Sequence, residues 1–336
     1  MFHSINLLHH IRRLLLLHKI FMSRIYISGH IQFLKFFIKR YVFRNKIPMT
    51  VMIALTYKCQ CNCVHCAVSR LEDNMSAELS TEEIKKIIYE SQRIGVLKIG
   101  FTGGEPLIRY DIPELVNYAY KKGLSTSIDT NGILLTERMV SDLKMAGISN
   151  VNVSIDHPVS NYHDRLRKYK GCYDKAISGI KNCVKQKIPC SISTYLTNRS
   201  FDKGEIWEII RLSRELNVSG VRVIFPIYSG KFDNKKRPLL SEYNKEKFFN
   251  TAINGLFVYS ESPFFDFITK RIECSSERKL SVYVTAYGDL KYCYVSPNSL
   301  GNIRVNSLSK IFGTNSYFNF SDKIKINCSC PEDNKN

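Results

Sequence analysis

A chain of 336 residues, 44% hydrophobic and 12% aromatic, has enough apolar mass to fill one large barrel or two ordinary domains, which excludes a disordered chain. Its formal charge is +19, yet residues 1–71 hold eleven Lys and Arg and no Asp or Glu, so the excess is mainly an N-terminal property. Eight of the eleven cysteines fall in two clusters with metal-like spacing, and no cleavable signal peptide is recognised before them, which points to a reducing cytoplasm rather than a disulfide framework.

The chain opens with a basic amphipathic arm, residues 1–47, in which Arg12, Arg13, Lys19 and Arg24 interrupt every apolar run. No uncharged stretch reaches the ~18 residues that a spanning helix needs. The arm is expected to lie on a membrane surface, to dock an acidic peptide or RNA, or to pack as extra helices under the core.

Beyond it, apolar β-branched runs alternate with helical periodicity. Strands are expected at 51–56, 97–102, 124–129, 150–155, 190–196 and 220–225. A helix opens at the capping box Ser80 to Glu83, and others are expected near 111–122, 136–146, 173–186 and 203–216. Six βα-like units require parallel strands with helical crossovers, as in a doubly wound sheet or a partial (β/α)6 barrel. Periodicity alone does not separate the two.

In either layout the chemistry gathers beyond the carboxyl ends of the strands. There the sequence places a cysteine loop after strand one, "GGEP" (103–106) after strand two, "TNG" (130–132) after strand three and "DHP" (156–158) after strand four. The core is assigned to 48–228, followed by a lysine-rich connector with a helix at 229–273 and a cysteine-bearing module at 274–331.

Cys59, Cys63 and Cys66 have the spacing C-x3-C-x2-C. A closed zinc site wants four ligands, whereas three thiolates on a [4Fe-4S] cluster leave one iron open to substrate or cosubstrate. With "GGEP" after the next strand, this triad resembles the signature of the radical S-adenosylmethionine (radical SAM) enzymes. Cys61 stands where that family usually has an apolar residue. It is expected to pack as a small hydrophobe, or else to compete for iron or oxidise. His65 is expected to stack or hydrogen-bond near the cofactor.

The resemblance implies a partial (β/α)6 barrel. It also implies reductive cleavage of S-adenosylmethionine (SAM) to a 5′-deoxyadenosyl radical, with reduced ferredoxin or flavodoxin as electron donor. Gly103, Gly104, Glu105 and Pro106 would border the methionyl amine. Ser154 and Arg167 match the residues that hold ribose and carboxylate, although Arg165 competes for the second role. Asp129 and Asn131 are expected to shape the third loop. Cys172, at the start of a helix where a small residue is usual, is expected to cap or pack; as the sharper reading, its thiol donates hydrogen to a substrate radical. Cys183 and Cys190 receive no role.

In the tail, Cys274, Cys293, Cys328 and Cys330 resemble the auxiliary-cluster extension called Twitch, the shortened SPASM domain. Four thiolates suffice for one auxiliary [4Fe-4S] cluster, with a zinc knot as the competing use. The implied enzyme modifies a ribosomally made peptide by cross-linking, oxidation or epimerisation. The rivals are a lipid or small molecule at the inner face of the membrane, and RNA, for which no appended binding module is present.

Overall fold

The structure is a computed structural model that describes residues 47–69, 71, 76–225, 229–232, 240–252, 257–260, 280–296 and 298–313, with Leu34, Phe36, Ile38 and Lys39 of the arm. The rest of the arm, Cys274, Cys328 and Cys330 lie outside the described residues. No helix among the described residues is long and apolar enough to cross a membrane.

The expected alternation forms. β1 (Thr50–Thr56), β2 (Lys98–Gly103), β3 (Ser125–Thr130), β4 (Asn150–Ser154), β5 (Cys190–Tyr195) and β6 (Gly220–Ile224) pair in parallel and in chain order. Between them run α1 (Thr81–Ile94), α2 (Ile112–Lys121), α3 (Glu137–Ala146), α4 (Ser160–Arg167), α5 (Cys172–Lys185), α6 (Asn198–Asp202) and α7 (Glu205–Glu215). Past α8 (Glu242–Ala252), a seventh parallel strand, β7 (Val258–Ser260), adds to β6. Its three residues are too few to show a period, which is why the pattern ended at the sixth strand.

The other edge of the sheet is built from the tail. β8 (Ser281–Val284) pairs in parallel with β1, and β9 (Asp289–Lys291) and β10 (Ser299–Asn302) follow antiparallel. The tail therefore continues the core sheet, and α9 (Leu308–Gly313) packs against α1. Polar contacts hold this docking: Arg304 Nε lies 2.6 Å from Glu83 Oε1, and the Leu308 N–H donates to Glu90 Oε2 at 2.6 Å.

One face of the strands carries Val51, Ile53, Leu55, Ile99, Phe101, Ile128, Val151, Val153 and Ile192 against Ile84, Ile88, Leu115, Leu143 and Ile180 of the helices. At about 25 cal/mol per Å² of apolar surface removed from water, this layer is the main source of stability. The alternating residues point to the opposite face. There the polar groups gather, among them Asp129, Asn152, Ser193 and Arg222, beside an aromatic wall of Tyr57, Tyr283 and Tyr287.

α1 begins as its sequence dictates. Ser80 Oγ accepts from the Glu83 N–H at 3.2 Å, and Glu83 Oε2 accepts from the Ser80 N–H at 2.8 Å. The helix stops at Gly95, whose φ of 106° is open to glycine.

Candidate active site at the strand ends

β1 delivers the cysteine loop through a fixed turn. Thr56 Oγ1 donates to Glu78 Oε1 (2.7 Å) and accepts from the Lys58 N–H (3.1 Å), while the Tyr57 N–H reaches the same Glu78 oxygen at 3.2 Å. The loop then rests on two neighbours. Asn62 and Val64 N–H groups donate to the Arg167 and Leu166 carbonyls at the end of α4, at 3.1 and 2.9 Å. On the other side, Gly104 and Glu105 N–H groups donate to the Thr56 and Lys58 carbonyls, at 2.8 and 2.9 Å.

This second approach explains the two glycines. A Cβ at Gly103 would stand 2.1 Å from the Thr56 carbonyl oxygen, and one at Gly104 would stand 2.4 Å from that of Lys58. The φ of +133° at Gly103 adds a further reason for glycine. Close to Cys66, the connector folds back: the Lys231 N–H donates to the Cys66 carbonyl at 3.0 Å, and Ser229 Oγ donates to that of Ala67 at 3.1 Å.

Glu105 is fully buried and joins loops rather than facing solvent. Its Oε1 accepts from Thr130 Oγ1 (2.7 Å) and the Leu107 N–H (3.1 Å), and its Oε2 accepts from the Asn131 N–H (2.8 Å). Burial raises its carboxyl to about 7, against the lowering pull of Asn131, Thr130 and Leu107. Asn131 in turn donates from Nδ2 to Gln60 Oε1 at 3.2 Å and to Cys59 Sγ at 3.8 Å. Pro106 opens the short 3-10 turn that follows.

Across the loop, Asp156 sits just beyond β4 and is held by Arg167 and His65. Arg167 Nη2 lies 2.6 Å and His65 Nε2 3.2 Å from its Oδ2, and the His65 ring meets Tyr195 edge-on at 5.0 Å. Burial would raise the Asp156 carboxyl, but Arg167 and then His65 overcome it and hold it far below the usual range. Burial also opposes the Arg167 charge, and Asp156 more than offsets that, so its pKa is raised. Arg167 Nη1 donates to Cys63 Sγ at 3.8 Å. Arg167 is buried, whereas Arg165, two residues earlier, is exposed over the Tyr162 ring. Ser154, the last residue of β4, is half-buried.

Two cysteines outside the triad enter the same pocket. The Cys61 thiol hydrogen-bonds with the sulfurs of Cys172, Cys59 and Cys63, which raises its own pKa. That contact is the leading cause lowering Cys59, lowering Cys63 to about 6 with help from Arg167, and lowering Cys172 to about 5. Burial pushes the Cys66 thiol up. Cys172 has no solvent exposure at all.

No three Cys, His, Asp or Glu side chains among the described residues converge to hold a single metal ion. A cubane spreads its thiolates over separate irons, so the fit is judged on other features. The pocket offers three loop cysteines, a backbone cradle that any Cβ would fill, and buried polar atoms without aligned hydrogen-bond partners. These atoms are Arg167 Nε, both Asp156 carboxylate oxygens and His163 Nε2. Such atoms are costly in a folded protein unless a ligand meets them, and this set fits a thiolate-held cluster with a zwitterionic cosubstrate beside it.

The sequence places Asp156 at the strand ends within "DHP" but gives neither it nor His163 a role, although both lie inside the "VSIDHP" and "YHDRLR" segments that carried Ser154 and Arg167. His163 Nδ1 accepts the Asp156 N–H at 3.1 Å, a contact between residues seven apart that no periodicity encodes. Of the four tail cysteines, Cys293 alone is described, in the loop after β9. Tyr283 of β8 interacts electrostatically with both Cys66 and Cys293, and its hydroxyl is 3.3 Å from that of Tyr57.

The family model described as "Radical SAM superfamily" matches residues 53–219, and the one described as "Iron-sulfur cluster-binding domain" (SPASM) matches residues 274–332. The chain is 32% identical over 198 residues to the AdoMet-dependent heme synthase of Methanosarcina barkeri, a match covering 59% of this chain and 56% of that protein. It is 30% identical over 184 residues to the PqqA peptide cyclase of Bradyrhizobium diazoefficiens, covering 55% and 48%. The chain thus spans about half the length of the curated relatives it matches. Among solved structures, Streptococcus suis SuiB bound to precursor peptide SuiA has a similar fold, with a TM-score of 0.65 at 18% identity over 86% of this chain and 70% of that one.

Proposed function

Because the chain belongs to the radical SAM superfamily and carries a SPASM iron–sulfur cluster-binding domain, we propose that it is a peptide maturase, removing hydrogen from a ribosomally made peptide to cross-link, oxidise or epimerise it. Its cofactors are a SAM-binding [4Fe-4S] cluster, an auxiliary cluster and SAM. When bound, they supply reductive cleavage of SAM to a 5′-deoxyadenosyl radical. The observation that carries the peptide reading is the likeness of the core to a PqqA peptide cyclase together with a SPASM tail.

The residues take complementary parts. Cys59, Cys63 and Cys66 hold the first cluster; Cys274, Cys293, Cys328 and Cys330 hold the auxiliary one. Gly103 and Gly104 bring backbone close enough to meet the methionyl group, with Pro106 turning the chain away behind them. Glu105, engaged with Thr130 and Asn131, keeps that backbone rigid against the third loop. Arg167, with Nε lacking an aligned acceptor, offers its planar fork to the SAM carboxylate, and Ser154 offers its hydroxyl to the ribose. A hydrogen-donor role for Cys172 requires a substrate radical to reach a thiol that is fully buried.

Reduced ferredoxin or flavodoxin supplies the electron, and the basic arm grips either an acidic leader peptide or the inner face of the membrane. Liposome flotation with and without residues 1–47 distinguishes these two uses of the arm. A second reading, a tetrapyrrole or similar small molecule as substrate, is favoured by the match to the heme synthase.

The test is anaerobic reconstitution with SAM and a reductant, followed by incubation with short peptides encoded beside the gene and, separately, with an iron porphyrin. Formation of 5′-deoxyadenosine with loss of two hydrogens from a peptide, or deuterium uptake into it from heavy water, supports the maturase. Consumption of the porphyrin and an unchanged peptide mass overturns the peptide reading. Absence of 5′-deoxyadenosine from cluster-loaded protein overturns the reaction class.

A further inference from the structure

The outer side of the cysteine loop reaches solvent. Between Cys63 and Cys66, Val64 is 38% exposed, and Lys58 and Asn62 on either side of Cys59 are exposed as well. Two backbone hydrogen bonds seat this stretch on the end of α4: the Val64 N–H donates to the Leu166 carbonyl at 2.9 Å and the Asn62 N–H to that of Arg167 at 3.1 Å. The connector closes the other side, where Lys231 Nζ donates to Asn62 Oδ1. The surface around the loop is therefore made by the end of α4, the turn into α5 and residues 229–232.

That surface is cationic. Lys58, Arg165, Lys168, Lys170, Lys175 and Lys231 are all exposed, against one exposed carboxylate, Asp174, among the described residues of these segments. Asp164, the other acid there, is half-buried and accepts from the Gly171 and Tyr173 N–H groups at 2.6 and 2.9 Å. None of the six cations forms an ion pair with a carboxylate among the described residues, whereas Lys185 lies 2.8 Å from Glu137 and Arg211 2.9 Å from Glu215. Arg165 and Lys175 rest over the rings of Tyr162 and Tyr169, 5.4 and 5.2 Å from the centroids, which fixes their stems and leaves their charge in water. Lys168 holds a φ of +51°, a left-handed conformation that suits glycine or asparagine, so backbone preference does not select lysine there. The helix dipole accounts for a cation in the last turn of α4. Lys58 and Lys231 belong to other segments, and the dipole does not account for them.

We propose that this face docks a small acidic electron-carrier protein, with Val64 at the centre of the contact and the six cations at its rim. The inference rests on the reading that Cys59, Cys63 and Cys66 hold the first cluster, and it names the surface through which that cluster receives its electron. An apolar centre with a charged rim is the anatomy of a transient interface. Cations placed around it steer an acidic partner and raise its association rate by about 10- to 1,000-fold. The step is the transfer of one electron: the carrier is oxidised by one, the cluster is reduced by one, and no bond forms or breaks. A peptide substrate has to reach the interior of the barrel, whereas an electron need only reach the loop, and it is the loop that this surface exposes.

The experiment first measures, by titration calorimetry at low and at high salt, binding of oxidised flavodoxin and, separately, of oxidised ferredoxin to the full-length protein without cluster. It then follows, by stopped-flow absorbance after anaerobic reconstitution, cluster reduction by the reduced carrier and by dithionite. Wild type should bind at least one carrier, less tightly as salt is raised. The triple variant Arg165→Glu, Lys168→Glu, Lys170→Glu should weaken binding about 10-fold or more and slow reduction by the carrier. Its reduction by dithionite should keep the wild-type rate, which checks that the loop survives. Arg165→Gln with Lys170→Gln, which leaves the left-handed Lys168 in place, should give a smaller loss in the same direction. Lys121→Glu, Lys144→Glu, Lys181→Glu, a control with the same charge change on exposed positions of α2, α3 and α5, should bind as wild type does. The proposal is overturned if wild type binds neither carrier, if the two triple variants lose binding equally, or if the α4 variant loses none. Binding of polyglutamate at these residues without carrier binding also overturns it. Carrier binding at this face with no 5′-deoxyadenosine formed would overturn the reaction class and leave the docking face standing.

Discussion

Two polar regions lie on the same side of the sheet and are built on opposite rules. In the middle of the barrel, Arg222 Nη1 and Nη2 each lie 3.2 Å from an Asp129 oxygen, Asn152 Nδ2 donates to Asp129 at 2.7 Å, and Arg222 Nε donates to Ser193 Oγ at 2.9 Å. None of these side chains is among the buried groups lacking a partner. At the strand ends the ion pair of Arg167 and Asp156 is closer, 2.6 Å, yet Arg167 Nε and the Asp156 oxygens have no aligned hydrogen bond, and His163 Nε2 is in the same position. The first network is complete in itself, while the second waits for something. Both carry an Arg–Asp pair, but Asp129 and Arg222 are half-buried while Asp156 and Arg167 are buried, so the strand-end pair combines greater depth with incomplete hydrogen bonding.

The strongest way to break this contrast is to remove a cluster ligand. Cys59→Ala, reconstituted anaerobically, should bring iron at the first site and 5′-deoxyadenosine formation to background; retained iron by metal analysis would mean that the pocket is not the cradle. Next comes Arg167→Ala, which leaves Asp156 buried beside His65 alone. Breaking a buried pair from one side costs about 3–5 kcal/mol, to be read by urea denaturation, and SAM binding should weaken with it. Arg167→Lys should recover part of the stability but not the affinity, because an ammonium lacks the fork.

Glu105 sharpens the comparison through pH. Its carboxyl is raised to about 7 in the fold, so the folded chain keeps a proton that the unfolded chain releases. Its contribution is fully present below the ordinary carboxyl range and is lost as pH rises through about 7. Relative to Glu105→Gln, wild-type protein should lose up to about 3 kcal/mol between about pH 5 and about pH 8 in thermal unfolding, at roughly 1.4 kcal/mol per pKa unit. An identical pH profile for the two proteins would place the ionised carboxylate in the fold at no cost. The smallest effect belongs to the mid-barrel network. Asp129→Asn should cost about 1–3 kcal/mol in stability, the scale of a buried polar group left without its partner, with SAM affinity unchanged. A fall in SAM affinity to match that of Arg167→Ala would erase the distinction between the two regions.

Much of the strand-end site was legible because it is written in short local stretches. The cysteine triad, "GGEP" and "TNG" each follow a strand within a few residues, and the capping box at Ser80 marks where the first crossover helix begins. What was not legible depends on residues distant along the chain. Asp156 reads as part of a turn until Arg167 and His65 converge on it. Arg165 and Arg167 look interchangeable on paper, and the turn of α4 buries one and exposes the other. The tail reads as a separate module, and β8 pairs with β1 because an edge strand with unpaired N–H and C=O groups accepts another strand from any point in the sequence.

The order of elements and the positions of the loops were determined by the sequence, since each follows from local periodicity or turn chemistry. Tertiary structure alone decided which polar atoms remain without aligned partners and which of Arg165 and Arg167 is buried. Both depend on how α4 docks beneath the cysteine loop, a matter of packing and hydrogen-bond geometry among residues about a hundred positions apart.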